Sequence, residues 1–388
     1  MTASKPQRLR VTMLTKLYPP WIGGLELHVA ALAQSLQALG EAHVTVVAGQ
    51  EGRAPARHEA YDGIEVHRAL TLARVARTPV TLGMRSLIRA TRPDVLHFHS
   101  PHPWGELVAP LADACIRVVV TYHHDVVRQR VLRPFYAPIL ERVLDRADRI
   151  IVWSPQLAAS SVALRHHTRK LVVIPGGIDT RRFTPTNASR MAAAALRHSL
   201  APVGPVVLFI GRLVYYKGVH HLLRALVNVT ASLVVVGTGA EQPALIALAR
   251  ELGVAERVHF VGEAADEMIP LYLQASDVLV LPSCARTEAF GLVQLEAHAS
   301  GIPTISTALP TGVTYVNEHE VTGLVVPPAD SDALARALHL LLRDNSLRLR
   351  LGAQAQRRAV ERFDIGRCAR AVMDLYTELA EPDARAPR

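Results

Sequence analysis

Cysteine is scarce in this chain of 388 residues, which contains only Cys115, Cys284 and Cys368. The three lie far apart in the sequence, and no Cys-x-x-Cys pair occurs. A disulfide framework requires several closely spaced cysteines in a short chain, and a zinc ribbon requires paired ones. The sequence therefore suggests neither a disulfide framework nor a zinc ribbon, and its cysteine usage favours a reducing, cytoplasmic setting.

Long apolar runs are missing as well. No segment approaches the roughly 20 consecutive apolar residues of a membrane-spanning helix. The segment from Met1 to Arg10 is polar and basic, without the apolar core of a secretory signal. Hydrophobic residues nevertheless make up 49% of the chain, which predicts large buried cores, and the length favours two domains. We therefore expect a cytoplasmic protein with two α/β domains.

Acidic residues are few in the N-terminal half. Residues 1–187 carry 24 Lys and Arg against 14 Asp and Glu, a net charge of +10, and the whole chain carries +9. Such a positive field concentrates anionic ligands. Nucleic acid is not expected, because the sequence has no zinc finger, no recognition-motif aromatics and no basic-helix pattern. An anionic membrane surface or a diphosphate-linked acceptor is the more suitable partner, which would place the protein peripherally on the inner face of the cytoplasmic membrane.

The segment Val127–Arg146 mixes five arginines with apolar residues. As an interfacial helix, it would lay its apolar stripe against acyl chains while the arginines contact anionic headgroups. As an ordinary helix, it would turn the same stripe towards the domain core. The sequence leaves both interpretations open.

Short β-rich runs alternate with helical patterns along the chain, which predicts two parallel, doubly wound sheets. The predicted strands of the first half are Leu9–Leu14, His43–Ala48, Val95–His99, Arg117–Tyr122, Arg149–Trp153 and Leu171–Ile174. Those of the second half are Val206–Ile210, Leu233–Val236, Arg257–Phe260, Val278–Leu281 and Thr304–Ser306. The predicted helices of the second half are Val219–Val227, Glu241–Leu252, Glu267–Ala275 and Leu292–Ser300. In the first half, apolar residues recur at helical spacing from Leu25 to Leu39, and Gly40 ends that helix.

A polar connection that begins at Thr184–Asn187 and runs to Gly204-Pro205 separates the two halves. We therefore predict an N-terminal domain over residues 1–187 and a C-terminal domain over residues 188–364.

Two glutamates, Glu288 and Glu296, stand eight positions apart around the predicted start of a helix at Phe290-Gly291-Leu292. Eight residues are just over two helical turns, so the second carboxylate returns near the face of the first. Free amides at a helix start attract phosphate, and carboxylates hold sugar hydroxyls. A solvated helix start with ordinary acidic residues is the alternative.

Two further segments follow predicted strands. Arg212 and Lys217 come after Val206–Ile210, where the ligands of α/β sheets bind, and they could neutralise a departing diphosphate. Solvated surface cations are the alternative. Gly23-Gly24 opens the first helix, and its glycines allow a ligand to approach the backbone closely or simply permit a tight turn.

These motifs together resemble the retaining GT-B glycosyltransferases of family 4. The resemblance rests on Glu288-x7-Glu296 and on a set of landmarks that occur in the family's order. These landmarks are Gly23-Gly24-Leu25-Glu26, Thr121-Tyr122-His123, Ile174-Pro-Gly-Gly-Ile-Asp179, Gly211-Arg212, Lys217-Gly218, Gly237-Thr-Gly239 and Val261-Gly262. The resemblance covers nearly the whole chain, from about Val11 to Leu379.

The resemblance implies a GT-B fold, with two Rossmann-like domains facing an interdomain cleft. The N-terminal domain, joined by a last helix within residues 365–388, would bind the acceptor, and the C-terminal domain would bind a nucleotide sugar. Arg212, Lys217 and the amides of Phe290, Gly291 and Leu292 would hold the diphosphate.

The same resemblance implies roles for the remaining site residues. Glu288 would contact hydroxyls of the donor sugar, and Glu296 would contact the ribose. His123 would lie near the donor sugar, and Gly23 and Gly24 would cover the diphosphate. His124, where many relatives carry a small residue, leaves the choice between the two histidines open.

The string from Arg286 to Ala297, with Thr311-Gly-Val and Tyr315-Val-Asn-Glu, looks most like bacterial mannosyl- or rhamnosyltransferases of surface-polysaccharide assembly, such as those of lipopolysaccharide. That likeness implies a GDP-sugar donor and a glycan or lipid-linked acceptor.

Neither a metal nor a cofactor is expected. The histidine groups His97-Phe-His99, His166-His167 and His220-His221 lack carboxylate or cysteine partners at ligand spacing. Asp330-Ser-Asp332 resembles a metal-binding Asp-x-Asp, but its place at a helix start predicts a cap. Gly237-x-Gly239 lacks the third glycine of a dinucleotide loop.

Two other functions remain open. A sugar-nucleotide 2-epimerase shares the fold and would need no acceptor. A non-catalytic nucleotide-binding GT-B domain would not need to keep Glu288, Glu296, Arg212, Lys217 and His123 together.

Overall fold

A computed structural model describes residues 8–21, 23–75, 78–125, 133–201 and 204–381. The chain forms two compact units. The N-terminal unit comprises Met1–Gly177 with Ile365–Arg388, and the C-terminal unit comprises Ile178–Asp364. Within the described ranges, no helix combines the length and the apolar character needed to cross a membrane.

The N-terminal unit is built on a large, mostly parallel sheet. Its elements in chain order are β1 Leu9–Thr15, α1 Gly24–Ala38, β2 Ala42–Ala48, β3 Arg57–Tyr61, β4 Ile64–Arg68, β5 Leu70–Val75, β6 Thr78–Leu82, α2 Met84–Thr91, β7 Val95–Ser100, α3 Pro103–Val108, β8 Arg117–Tyr122, α4 Arg133–Arg146, β9 Arg149–Val152, α5 Pro155–Ser160 and β10 Leu171–Val173. The strand order is β10-β9-β8-β7-β1-β2-β4-β3, and β3 is the antiparallel edge strand. Strands β5 and β6 form a separate antiparallel pair.

The C-terminal unit is built on a second parallel sheet. Its elements are α6 Thr180–Phe183, α7 Asn187–Leu200, β11 Val206–Ile210, α8 Val219–Leu226, β12 Ser232–Val236, α9 Gln242–Glu251, β13 Val258–Gly262, α10 Ile269–Gln274, β14 Val278–Leu281, α11 Leu292–Ala299, β15 Thr304–Thr307, α12 Val313–Val316, β16 Gly323–Val326, α13 Ser331–Arg343 and α14 Asn345–Arg362. The strand order is β13-β12-β11-β14-β15-β16. All these strands run parallel, but the order in which successive strands are added reverses between β11 and β14. This is the switch point where doubly wound sheets bind ligands.

The segment predicted as a polar connection, from Thr184 to Pro205, contains a helix. Residues Asn187–Leu200 form α7, whose first turn is fixed by a capping box between Thr186 and Ser189. Arg197 on this helix pairs with Asp277 at 2.8 Å and donates to the carbonyl of Ala275. Helix α7 therefore packs within the C-terminal unit, and the structural division falls after Gly177, ten residues before the predicted boundary at Asn187.

The last helix, α15, spans Ile365–Ala380 and groups with the N-terminal unit. Its apolar face, which includes Cys368, Val372 and Met373, is buried in one cluster with Val11 and Val29. Tyr376 is fully buried, and its hydroxyl lies 2.5 Å from Nδ1 of His97 beneath β7. Burial of this face explains why the last helix packs with the N-terminal unit, although it follows the C-terminal unit in the sequence.

Helix α4 does not offer its apolar stripe as a free surface in the described part of the segment. Leu140, Val143 and Leu144 are buried in the core of the N-terminal unit. Tyr136 packs against the same cluster. The interfacial interpretation is therefore wrong for these residues, because the sheet already covers them, while Val127–Leu132 lies outside the described residues.

Candidate active site

The centre of the site is an ion pair at the switch point of the C-terminal sheet. Lys217, after β11, places its Nζ 2.7 Å from Oε2 of Glu288, after β14. Both side chains are largely buried, with 13% of Lys217 and 9% of Glu288 exposed. Ser283 Oγ donates to the same carboxylate oxygen at 2.9 Å. The sequence placed these two charges in one site, and the structure brings them into direct contact.

Backbone geometry explains why a glycine follows Lys217. Gly218 follows the short turn Tyr215–Lys217 with a φ of 67°, which favours glycine. A Cβ at this position would collide with the carbonyl oxygen of Pro282. The loop after β11 and the loop after β14 thus lie in backbone contact. That contact sets the distance between the lysine and the glutamate.

Arg212 is the second cation after β11, and its side chain is exposed. Its Nη2 donates to the hydroxyl of Tyr216 at 3.2 Å. Arg212 therefore lies beside the turn that carries Lys217, at the same edge of the sheet. Two positive groups at this edge suit a diphosphate.

The predicted helix start after Glu288 is present. Gly291 adopts a φ of 72° and precedes α11, and an added Cβ would collide with the side chain of Leu281. Phe290 is buried, and the carbonyl of Ala289 accepts from the amide of Gly312. The turn is therefore fixed on both sides. The first amides of the helix, including that of Leu292, stand at the carboxyl edge of β14, as a phosphate site requires.

Glu296 lies one turn into α11, and its electrostatic environment is unusual. Burial raises the pKa of the Glu296 carboxyl to about 7, against the opposing positive charges of Arg182 and Lys217. A carboxyl with this pKa is partly protonated near neutrality. Glu296 can therefore exchange between donating and accepting a hydrogen bond in the physiological range.

The glycines of the Gly237-Thr-Gly239 turn have a structural reason. A Cβ on Gly237 would collide with the carbonyl of Gly211, and one on Gly239 would collide with that of Leu213. The amide of Leu213 donates to the carbonyl of Thr238 at 2.8 Å. The turn after β12 thus packs directly on the loop that carries Arg212, and it supports that loop.

Asp330 caps a helix, as predicted. Its carboxylate accepts from the amide of Ala333 at 2.8 Å at the start of α13. The side chain is thus used for the helix terminus, which explains the Asp-Ser-Asp pattern.

In the N-terminal unit, His123 directly follows β8 and lies within a cluster of buried rings. Its Nε2 lies 3.0 Å from Nδ1 of His99, and the two rings stack with centroids 5.3 Å apart. Trp153 approaches His123 edge-on at 4.6 Å. Burial, with nearby histidines, holds the pKa values of His99 and His123 well below the usual range. Both rings are therefore neutral, and a hydrogen bond joins Nδ1 of His99 to Nε2 of His123.

One nitrogen of His123 is left over by this arrangement. Within the described residues, its buried Nδ1 has no hydrogen-bond partner. A buried polar atom without a partner is costly. This Nδ1 is therefore a site where a bound molecule would gain a hydrogen bond. His124, by contrast, is half-buried and contacts the carbonyl of Asp125 through its own Nδ1.

Gly23 and Gly24 begin α1 beside the same cluster. Gly23 is extended, and a Cβ there would collide with the carboxylate of Glu26. In the second turn, His28 packs on Trp153 with ring centroids 4.5 Å apart. Its Nδ1 contacts the carbonyl of Gly177 at 3.0 Å. The start of this helix is thus anchored to the rings around His123.

Sequence reasoning missed several of these supporting residues. His28, His99 and Trp153 surround His123, and Arg68 supports the loop before Gly23. Arg68 is fully buried, and it donates to the carbonyls of Tyr18 and Pro19 while its Nε lies 2.5 Å from Glu59. The two-residue spacing of His97 and His99 was a usable signal, because alternate strand residues share a face.

A buried carboxyl close to this cluster was missed too. Glu106 accepts from Ser100 Oγ at 2.7 Å and from the hydroxyl of Tyr136 at 2.8 Å. Burial raises its pKa above the usual range. Nothing in the spacing of the motifs indicated this residue.

The fold and the site together are typical of an α/β enzyme that binds a nucleotide sugar. Residues 197–358 match the family described as "Glycosyl transferases group 1", and residues 22–182 match "Glycosyltransferase Family 4". The chain is 35% identical to D-rhamnosyltransferase WbpZ of Pseudomonas aeruginosa, over 92% of each protein. It is 33% identical to O-antigen chain mannosyltransferase C of Escherichia coli, over 94% of this chain and 96% of that relative.

Solved structures agree on the fold. Sucrose-phosphate synthase from Thermosynechococcus elongatus aligns with a TM-score of 0.82 at 24% identity, over 96% of this chain and 99% of that chain. Anabaena HepE in complex with UDP and glucose aligns with a TM-score of 0.76 at 22% identity, over 95% of this chain and 100% of that chain. The chain belongs to the group 1, family 4 glycosyltransferases and has their GT-B fold.

Proposed function

We propose that this glycosyltransferase is retaining and metal-independent and transfers a mannose- or rhamnose-type hexose from a GDP-sugar. The acceptor is a glycan or a polyprenyl-diphosphate-linked glycan of cell-surface polysaccharide synthesis. The observation that carries the proposal is the Lys217–Glu288 pair at the switch point of the C-terminal sheet. The names of the two relatives, one a rhamnosyltransferase and one an O-antigen mannosyltransferase, support the sugar class.

The C-terminal unit holds the donor in this proposal. Arg212, Lys217 and the first amides of α11 bind the diphosphate and stabilise the charge that develops as it leaves. Because these cations act where other enzymes use a metal, transfer proceeds without one. Glu288 accepts hydrogen bonds from hydroxyls of the sugar, and Glu296 from those of the ribose.

No protein nucleophile is assigned. The acceptor hydroxyl attacks the anomeric carbon on the face that the diphosphate leaves, and the leaving phosphate oxygen takes the hydroxyl proton. One C–O bond breaks, one forms on the same face, and the anomeric configuration is retained. His123 is neutral because burial lowers its pKa, so it contributes a hydrogen bond through Nδ1 and no charge.

The N-terminal unit binds the acceptor in this proposal. Its excess of basic residues attracts a diphosphate-linked glycan and an anionic membrane surface. The enzyme then acts on the inner face of the cytoplasmic membrane, where such an acceptor is presented.

Donor choice and stereochemistry are tested together. The purified enzyme is incubated with GDP-mannose, GDP-rhamnose, UDP-glucose and ADP-glucose and a polyprenyl-diphosphate-linked glycan, and the product is analysed by NMR. We expect transfer from a GDP-sugar with the anomeric configuration kept, undiminished in excess EDTA. Inversion of the anomeric centre would contradict the retaining mechanism, and loss of activity in EDTA with recovery in Mn²⁺ would contradict metal independence.

The same incubation without acceptor separates transfer from epimerisation. A 2-epimerase would release free nucleoside diphosphate and interconvert sugars with no acceptor present. The comparisons do not favour this alternative, since both relatives named above are glycosyltransferases. We expect donor turnover to depend on the acceptor.

A further inference from the structure

Three histidines surround one glutamate on the edge of the N-terminal sheet, away from the strand ends that carry the candidate active site. Nε2 of His67 lies 3.0 Å from Oε1 of Glu65, and Nε2 of His58 lies 3.1 Å from the same oxygen. Nε2 of His43 lies 3.5 Å from the other oxygen, Oε2. None of these residues has a part in the proposed sugar transfer.

Strand register explains why the four side chains meet. In the antiparallel pair β3–β4, His58 stands opposite His67. Glu65 and His67 are two residues apart on β4 and therefore share a face. In the parallel pair β2–β4, Thr45 stands opposite Glu65, so His43 lies on that face as well. Three strands thus present their side chains to one point.

The distances fit a tetrahedral metal ion. With metal–ligand bonds of about 2.0–2.1 Å, neighbouring ligand atoms in a tetrahedral site lie about 3.3 Å apart. The Nε2 atoms of His58 and His67 lie slightly closer than this to one oxygen, Oε1 of Glu65, and that of His43 lies slightly farther from the other oxygen. The ligand atoms of His58, Glu65 and His67 all lie within 4.8 Å of one another. Three ligands are therefore already grouped, whereas His43 lies outside this group and must turn its side chain towards the others to join it.

The surroundings of the cluster leave room for an ion and do not strongly repel a positive charge. A cavity of about 200 Å³ adjoins the cluster, and His43, Glu65 and His67 line part of it. Arg10 also lines this cavity, but its guanidinium is paired with Asp94 at 2.6 Å. Ordinary exposed ion pairs would add at most about 1 kcal/mol each and do not require convergence of three imidazoles.

We propose that His58, His67 and Glu65, with His43 as a fourth ligand, form a binding site for a divalent transition-metal ion of the Zn²⁺ type. Imidazole nitrogen and carboxylate oxygen are ordinary zinc ligands, whereas Mg²⁺ and Ca²⁺ prefer oxygen ligands alone. The ion links the edge strand β3 and its neighbour β4 to β2, and it stabilises this end of the sheet. It takes no part in sugar transfer, so the proposal is independent of the proposed function.

Isothermal titration with Zn²⁺ tests the site on full-length protein that lacks a histidine tag and has been dialysed against chelator. We expect one equivalent to bind, and we expect His67→Ala and Glu65→Gln to weaken binding at least about tenfold, since even outer-shell changes cost that much. His198→Ala, which removes an exposed histidine of α7, is the matched control and should leave the affinity unchanged. Absence of stoichiometric binding, or equal affinity in all variants, would overturn the proposal.

A second measurement covers variants that fold poorly. Zn²⁺ should raise the melting temperature of the wild type, and EDTA should reverse the rise, because an ion that binds the folded state stabilises it. Glu65→Gln keeps the shape of the side chain and should melt near the metal-free wild type, without response to Zn²⁺. A Zn²⁺-induced rise of the same size in Glu65→Gln would assign the effect to other groups and contradict the site.

Discussion

At the scale of single residues, the contact between Lys217 and Glu288 determines how the donor site is organised. With both side chains nearly buried, each charge keeps the other in place before a ligand binds. Breaking a buried pair by removing one partner leaves the other uncompensated. The lysine and the glutamate therefore act as one unit, and a variant of either will disturb both.

We predict that Lys217→Ala lowers turnover by two decades or more while the fold is kept. The reason is loss of a preorganised positive charge, which typically costs about 10²–10³ in rate. Steady-state kinetics with circular dichroism measures both properties. Arg224→Ala, which removes an exposed cation on the neighbouring helix α8, is the control and should keep normal turnover. Near-normal activity in Lys217→Ala would remove the lysine from the diphosphate site.

Glu296 gives a pH prediction, because burial raises its pKa from 4.5 to about 7. The neutral form is favoured in the folded protein, so its contribution to stability is complete below pH 4.5 and is lost as the pH rises through about 7. Ribose hydroxyls in the proposed role donate to the charged form. Donor affinity should therefore increase with pH, by about tenfold per unit below the pKa.

Titration calorimetry with a GDP-sugar, at several pH values between 5.5 and 8 and at fixed ionic strength, measures how the donor affinity depends on pH. A GDP-sugar is preferred to GDP, because its diphosphate has no proton that titrates near neutrality. Glu296→Gln cannot ionise and should bind with an affinity that is nearly independent of pH. An equally steep profile in wild type and Glu296→Gln would show that another group is responsible.

At the scale of strands and helices, the register of β7 and β8 builds the cluster around His123. His99 stands opposite Thr121, and the amide of His123 donates to the carbonyl of Ser100 at 3.0 Å. Two adjacent strand ends thus hold the two imidazoles at a fixed separation. We regard His99 as a positioning residue, since it contacts His123 and orients it through a hydrogen bond.

We predict that His99→Ala lowers kcat by about tenfold or more and changes KM for the donor less. His99→Asn, whose amide can occupy the position of Nδ1, should restore most of the loss. Loss of one preorganised hydrogen bond at a reacting centre typically costs about 10²–10³ in rate, so partial loss of its geometry should be measurable. Equal impairment in His99→Ala and His99→Asn, accompanied by a lower melting temperature, would indicate a purely structural role.

The elements that could be predicted from the sequence are those with one dominant signal. The buried strands β8, β11 and β14 occur as predicted, because a parallel strand covered on both faces is a continuous run of Val, Ile and Leu. β3, β4, β5, β6 and β16 were missed. β3 is a polar edge strand of sequence Arg-His-Glu-Ala-Tyr, without a buried run. β16 begins with Gly323, a residue type that is depleted in strands.

For the site, the sequence supplied the residues but not their contacts. Arg212, Lys217 and Glu288 follow strand ends that the alternating pattern places at one edge of a sheet. Their pairing depends on the close contact of two loops at Gly218 and Pro282. The metal-type cluster around Glu65 could not be anticipated, because it depends on the register of three strands, two of which were not predicted.

At the scale of the whole molecule, the excess of positive charge in the N-terminal half is the property that the proposed sugar transfer does not fully explain. Helix α4 buries its described apolar stripe, so an interfacial surface must come from other parts of the N-terminal unit. Leu107 and Leu111 are exposed there, by 43% and 51%. Arg85 and Arg89 are exposed on α2, and both line one small cavity together with Leu111. Apolar and basic side chains thus adjoin, as in peripheral membrane proteins.

We predict that the protein binds anionic vesicles in low salt and binds neutral vesicles weakly, through this surface. A basic residue close to an anionic surface contributes about 1 kcal/mol, and salt screens the attraction. Replacing both arginines, Arg85→Glu with Arg89→Glu, should therefore lower the vesicle-bound fraction at least tenfold. Co-sedimentation at several salt concentrations, with phosphatidylglycerol and phosphatidylcholine vesicles, measures the effect.

The matched control makes the same change of charge in the C-terminal unit. Arg250→Glu with Arg336→Glu alters exposed positions on α9 and α13, so it changes the net charge of the protein equally. If net charge alone caused binding, the two double variants would lose affinity to the same extent. If the control keeps its binding and Arg85→Glu with Arg89→Glu loses it, the membrane contact lies on the N-terminal unit. The reason is that an arginine attracts the headgroups only when it lies within about a Debye length of them. Equal binding of the wild type to both vesicle types would instead exclude an electrostatic membrane contact.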